Sequence, residues 1–189
     1  MLIADAQVHI WAADTPERPW PPITDPTQSR AHKPEPITKY DMLREMVVAG
    51  VARAVIAPPV WEGVRNDIAL AAAQAHPERF AVMGRVDLLS PASRELIPTL
   101  RQQPGMLGLR YAFHRPLIRP LLTEGRIEWL WPLAEKIPVP MAAPVLAPRL
   151  RCIRTEAHVL GFRSVAAAVQ LPAVRHHVHR GDSMAHRRG

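Results

Sequence analysis

Four short apolar segments, each followed by a stretch that can coil into a helix, most constrain what this chain can fold into. Ala52-Arg53-Ala54-Val55-Ile56-Ala57-Pro58 and Phe80-Ala81-Val82-Met83-Gly84-Arg85-Val86-Asp87 are nearly continuous apolar runs closed by turn residues. That is the pattern of strands covered on both faces of a parallel sheet. Residues 2–10 and 106–112 read as strands of the same kind. Between the first two lies a loop over 11–36 with seven prolines, too many for a helix. Thr38 then stands as an N-cap with Asp41 in the capping-box position. Tyr40, Leu43, Met46 and Val47 follow at helical spacing as a core-facing stripe, and Gly50 closes the helix. An Ala-rich helix is expected over 66–75, a third over 90–101 broken by Pro98, and a fourth over 126–136. Strand and helix alternating four times predict an α/β fold of parallel βα units with right-handed crossovers, either an open doubly wound sheet or a barrel. No glycine-rich phosphate loop follows the first strand, which favours the barrel over a nucleotide fold.

Catalytic groups of a (β/α)8 barrel sit at the carboxyl ends of its strands, and polar side chains gather at those ends here. On the first strand Asp5, Gln7 and His9 share one face by their spacing of two. Asp87 closes the third strand and Arg110 lies on the fourth. Arg110 suits bidentate capture of a substrate carboxylate, or alternatively a salt bridge across the barrel mouth. His114, just beyond, is a candidate substrate-binding or acid/base residue, or a plain surface histidine. Trp11, Trp20 and Trp61 follow strands and are candidate walls of an apolar pocket, with core or loop packing as the other use. Asp87 is a candidate catalytic residue on that face or the cap of the third helix.

Asp5-Ala6-Gln7-Val8-His9 resembles the Asp-x-His-x-His motif that opens the amidohydrolase-related family of metal-dependent hydrolases and decarboxylases. The second His of that motif falls on His9. The first falls on Gln7, a departure, because a carboxamide oxygen is a weak ligand where an imidazole is a good one. The resemblance continues through Arg53-Ala54-Val55-Ile56-Ala57-Pro58-Pro59, Asn66 with the Ala-rich helix, His76-Pro77-Glu78-Arg79-Phe80, Gly84-Arg85-Val86-Asp87 and Gly105-Met106-Leu107-Gly108-Leu109-Arg110, in order, to about residue 137. It implies a (β/α)8 barrel that hydrolyses a small lactone, amide or carboxylated compound, or decarboxylates an aromatic acid. It also implies a divalent zinc or manganese ion that polarises a carbonyl and makes hydroxide from water. Carried over residue by residue, it makes His9 a metal ligand, places Gln7 in or beside the metal's coordination sphere, and assigns Arg110 to an anionic substrate.

Past residue 137 the resemblance ends. A complete barrel takes about 250 residues, and the last 52 cannot supply four further βα units. The expected organisation is a partial barrel domain over 1–137 and an irregular tail over 138–189. The net charge of +7 belongs to that tail, which has eight Arg, no Lys and two acids, whereas residues 1–137 carry sixteen basic and fifteen acidic side chains. Pro138, Pro140, Pro144 and Pro148 leave room only for a broken fifth strand over 139–146; a helix over 156–170 and a disordered end follow. This composition suggests an out-of-frame extension of a truncated barrel gene. His176, His177 and His179 lack acidic or Cys partners nearby and read as adventitious rather than as a metal clamp. The Arg residues of the tail suit loose phosphate contacts, but no specific nucleic-acid motif is present. One cysteine, Cys152, excludes an intrachain disulfide. With no 18-residue apolar run and no signal-peptide pattern, a cytoplasmic protein is expected. The expected function is a family-type hydrolase of a small molecule, impaired by truncation. The alternative is a non-catalytic barrel remnant, self-associating through an open barrel edge.

Overall fold

The computed structural model describes residues 2–22, 31, 33, 35–113 and 115–136, with the backbone of 141–142 and 165–166. The order is β1 (Ala4–Val8), α1 (Lys39–Val48), β2 (Arg53–Ile56), α2 (Asp67–Ala75), β3 (Phe80–Gly84), α3 (Ala92–Leu96), β4 (Met106–Arg110), α4 (Arg119–Thr123), α5 (Leu130–Lys136), β5 (Met141–Ala142) and β6 (Val165–Ala166). The six strands form one sheet in sequence order, every neighbouring pair parallel. This is the expected α/β architecture: successive parallel βα units, as in the first half of a (β/α)8 barrel.

The apolar runs explain the central strands. Ile56, Val82 and Leu109 are fully buried at the middle of β2, β3 and β4, and pack with Ile10, Leu100, Ile127 and Leu130 in one core. α2 lies on that core through Ala69, Ala72 and Ala73, small side chains that let it approach β3 closely. At Gly105, φ is +88°, and a Cβ there would sit 2.6 Å from the Ala73 Cβ. Only glycine fits the turn into β4.

The capping box forms as the sequence predicts: the Thr38 side chain accepts from Asp41 N, and Asp41 accepts from Thr38 N. Gly50 takes φ +67° just past the helix, the left-handed position that ends it. The stripe assigned to α1 is only partly right. Met46 is buried and Met42 and Leu43 are partly so, but Tyr40 and Val47 are 59% and 69% exposed. The buried stripe is instead Met42, Leu43 and Met46, while the Tyr40 ring lies edge-on to His76 at the end of α2.

The other elements differ in extent. The expected third helix is α3 followed by a 3-10 segment at Ile97–Gln102, where Pro98 removes an α-helical donor. The fourth helix begins only at Leu130, and α4 precedes it unforeseen. Val165–Ala166, expected in a helix over 156–170, pair instead with β5. Met141–Ala142 lie within the expected fifth strand. The remaining tail readings, Cys152 and the His176, His177 and His179 group included, lie outside the described residues. No helix among the described residues is long and apolar enough to cross a membrane.

Candidate functional site

Three of the sequence-predicted residues meet at the carboxyl end of the sheet. Gln7 and His9, two apart on and just past β1, place their side chains 3.2 Å apart, Gln7 Nε2 to His9 Nε2. Arg110, the last residue of β4, donates from Nη2 to Gln7 Oε1 at 2.7 Å. In a flat sheet β1 and β4 would be roughly 14 Å apart with side chains standing off the same face. The contact therefore reports a sheet curled toward closure. Asp5 does not join this group. It is exposed, and its Oδ1 accepts from the backbone N–H of Gln7 at 2.8 Å.

The polarity of the chain is fixed at both ends. Arg110 can only donate, so Gln7 turns its oxygen to the guanidinium and its NH2 to His9. His9 Nδ1 lies 2.6 Å from the Ala57 carbonyl, which can only accept, so Nδ1 carries the proton. His9 Nε2 is then the acceptor of the Gln7 N–H. Every group has its complement, and the imidazole is neutral in its Nδ1–H form.

That arrangement bears on the metal implied by the sequence resemblance. A divalent ion would need the His9 Nε2 lone pair, which Gln7 occupies, and a Gln7 oxygen, which faces a cation at 2.7 Å. Among the described residues no three His, Cys, Asp or Glu side chains come together as a metal site. The residues present do not fit a divalent metal.

A second feature was not foreseen. β3 ends at Gly84, yet the backbone of the next two residues is held as if by neighbouring strands. Asn66 donates from Nδ2 to Arg85 O at 2.7 Å and accepts from Arg85 N at 2.9 Å. The Tyr111 hydroxyl donates to Val86 O at 2.9 Å and accepts from Val86 N at 3.0 Å. Gly84 makes room for the first clamp, since a Cβ there would meet Asn66 Oδ1 at 2.8 Å. Asn66 occupies the N-cap position of α2 but makes no side-chain cap bond, because both of its polar atoms serve Arg85.

So fixed, Arg85 is 8% exposed, and its guanidinium has no acid partner among the described residues. Burial, with Arg110 and Arg115 nearby, pushes it down to about 10. Burial and Arg115 also lower Arg110. Burial likewise pushes the Tyr111 hydroxyl up, so it stays a neutral donor and acceptor. Arg85, Tyr111 and Arg115 line a cavity of about 310 Å³ whose other walls include Val60, Val64, Leu88, Leu117 and Leu121. Asp87 sits at its edge, exposed, its Oδ1 accepting from Leu89 N at 2.9 Å. That bond makes it a turn former at this point.

Trp11 and Trp61 are buried edge to face, 5.5 Å between centroids, with Trp20 6.2 Å from Trp61. Neither Trp11 nor Trp61 lines the cavity. The Trp61 indole N–H has no acceptor among the described residues. His114 lies outside the described residues. Also missed was Glu62, 2% exposed. It accepts from Ala12 N at 2.8 Å and Arg18 Nη2 at 2.8 Å, and lies 3.3 Å from Arg65 Nε. Arg18 also forks onto Asp67, and the loop after β1 is thereby strapped to α2. No local pattern marks Glu62. Arg85, a lone charge at the end of an apolar run, did carry a legible signal.

No family model and no curated protein matches the chain. Solved structures do. A probable 2-pyrone-4,6-dicarboxylic acid hydrolase from Acinetobacter baumannii, with citric acid bound, is similar at TM-score 0.66 and 16% identity, over 89% of this chain and 58% of that one. An amidohydrolase from Burkholderia multivorans, with bound zinc, is similar at TM-score 0.60 and 14% identity, over 85% of this chain and 55% of that one. The chain thus spans a little over half the length of these structures. Its fold is that of a partial TIM barrel of the kind found in amidohydrolase-family structures.

Proposed function

We propose that the carboxyl-end rim and its adjoining cavity bind a small carboxylated compound, as part of an amidohydrolase-type hydrolase acting on a lactone, amide or carboxylated substrate. The observation that carries this is Arg85, a buried guanidinium without an acid partner among the described residues, beside Arg110 and Arg115. A buried cation is stable only when something anionic or strongly polar completes it. The cavity adds apolar walls to that charge, which suits a ring bearing a carboxylate. Arg110 on the rim and Arg85 in the cavity are the anion-holding residues, and Arg115 lines the cavity with Arg85. Gln7 orients Arg110. The similar structure named for a dicarboxylic acid and holding citric acid agrees with this reading. Among the described residues no group of metal-ligating side chains like that of the family motif comes together, so little turnover is expected of this chain alone. The single Cys152 suits a reducing cytoplasm.

Calorimetric titration of the full chain with isophthalate tests the binding site. Isophthalate is expected to bind, the neutral isophthalamide not to bind, and Arg85→Met to weaken isophthalate at least tenfold. Equal affinity for both ligands, or no effect of the substitution, refutes the site. Clear turnover of a carboxylated lactone by the purified chain refutes the impairment.

A second reading has its own observation. Leu2 and Ile3 are 66% and 42% exposed just ahead of the edge strand β1, and Tyr40, Val47 and Val48 of α1 are exposed as well. An open, apolar sheet edge favours pairing with another copy. On that reading the chain is a self-associating barrel remnant. Light scattering decides it, because a monomer at 100 μM rules self-association out.

A further inference from the structure

We infer that the cation of the β1–β4 rim is the Arg110 guanidinium, standing in for a divalent metal and coupled by Gln7 to a neutral His9, so that this rim recruits a substrate oxygen without any metal. The inference builds on the anion site proposed above and specifies which group supplies its charge.

The geometry argues it in three steps. First, the two atoms that a metal would need are both taken. His9 Nε2 accepts from Gln7 at 3.2 Å, and Gln7 Oε1 accepts from Arg110 at 2.7 Å. A divalent ion at Gln7 Oε1 would sit against a guanidinium, so the two cations exclude one another. Second, the substitution that removes the ligand also creates the guanidinium's seat. A histidine at position 7 would offer Arg110 a ring nitrogen competing with any metal. The carboxamide offers an oxygen to the guanidinium and an N–H to the imidazole at once. Third, Arg110 is buried, and among the described residues no carboxylate pairs with it and its hydrogen-bond partner is a neutral amide. It therefore keeps its full positive charge at the rim. Arg has five N–H donors. With one engaged by Gln7, the rest of the fork is left for the two oxygens of a carboxylate or for the carbonyl of a lactone.

The expected behaviour separates a guanidinium site from a metal site. With the full chain carrying 15N-labelled histidine at one fixed pH, the His9 signal is identified by its absence in His9→Asn. Its Nε2 shift is expected to be unmoved by two equivalents of zinc chloride. A zinc-induced shift of His9 Nε2 overturns the inference. After dialysis against EDTA, isophthalate affinity is expected to stay within twofold when zinc or manganese chloride is added; a tenfold gain with either metal overturns it. Arg110→Leu and Arg110→Gln are each expected to lower that affinity at least tenfold. Arg110→Lys is expected to recover part of it, because the charge remains while the fork is lost. Unchanged affinity in both neutral variants overturns the role given to Arg110. Should isophthalate fail to bind the unaltered chain, the anion site itself falls, and the His9 shift still decides the metal question.

Discussion

Replacing Arg85 by Met should stabilise the protein while weakening its affinity for carboxylates at least tenfold. The guanidinium is displaced from its ordinary value to about 10, chiefly by burial. Each unit of displacement is worth about 1.4 kcal/mol, so the charged form costs the native state about 3 kcal/mol. The sign follows from proton linkage. Below pH 10 the group is protonated in both folded and unfolded chains, and the cost is present in full. Only above pH 10 does the folded protein bind fewer protons than the unfolded one, so that stability rises with pH. At pH 7 the whole penalty therefore falls on the folded state. No hydrogen bond of the Arg85 side chain offsets it among the described residues; Asn66 holds its backbone, which Met retains. Met fills the space of the aliphatic stem without the charge. A gain of about 2 kcal/mol corresponds to a rise in Tm of roughly 4–8 °C for a chain of this length. Thermal melts followed by circular dichroism read it directly. Isophthalate at about 100 times its Kd should stabilise the unaltered protein by about 2.7 kcal/mol and the variant, with affinity at least tenfold weaker, by about 1.4 kcal/mol or less. A lower Tm for Arg85→Met, or equal stabilisation of both proteins by isophthalate, refutes the reasoning.

Asn66→Ala strands the N–H and C=O of Arg85 together and is expected to cost about 2–4 kcal/mol, seen as a lower urea midpoint; an unchanged midpoint contradicts the clamp. Tyr111→Phe does the same to Val86, with a cost of about 1–3 kcal/mol in the same assay. Gly105→Ala meets both the φ of +88° and the Ala73 Cβ at 2.6 Å, and a loss of about 2 kcal/mol or more is expected; a stabilised variant would show the turn to be otherwise built. The Arg18 hydrogen bond holds the Asp67 carboxyl below the usual carboxylate range. Its contribution is thus present above about pH 4 and lost as the pH falls below it. Because Asp67 is 60% exposed, the term is under about 1 kcal/mol. Asp67→Asn should flatten the acid limb of the stability curve by that amount, and superimposable curves would refute it.

Periodicity and apolar runs made β2, β3 and the α1 capping box legible, because each depends on residues within a few positions of one another. The Gln7–His9 pairing was legible for the same reason, strand alternation bringing side chains two apart to one face. Arg110 stood out as a charge at a strand end, but its partner lies 103 residues away, and no local rule connects the two. The outer face of α1 was misread because the helical period says which residues share a face, and not whether another element covers it. Met42, Leu43 and Met46 turn to the core, and Tyr40 and Val47, one step round the helix, do not. Asn66 was anticipated as the start of a helix, and it is, but its side chain answers to Arg85 instead of to its own helix. Such non-local use of a cap residue leaves no trace in spacing.

The two clamps on β3 carry a consequence for how this rim came to hold unneutralised charge. A strand ladder satisfies its own backbone and leaves side chains to neighbours. Beyond Gly84 the ladder stops, and exposed N–H and C=O groups at that point would draw in water. Asn66 and Tyr111 replace the missing ladder from opposite sides, one from the head of α2 and one from the residue after β4. The backbone at Arg85 and Val86 thereby stays dry and fixed without a third partner strand. Keeping water from that backbone deepens the desolvation of the Arg85 guanidinium, so the device that positions the charge also raises its energy. A ligand carboxylate would relieve that energy in a seat already built, with little reorganisation at the moment of binding. The stability surrendered at Arg85 and the affinity proposed for it are then one quantity, which is why a single substitution should move both in opposite directions.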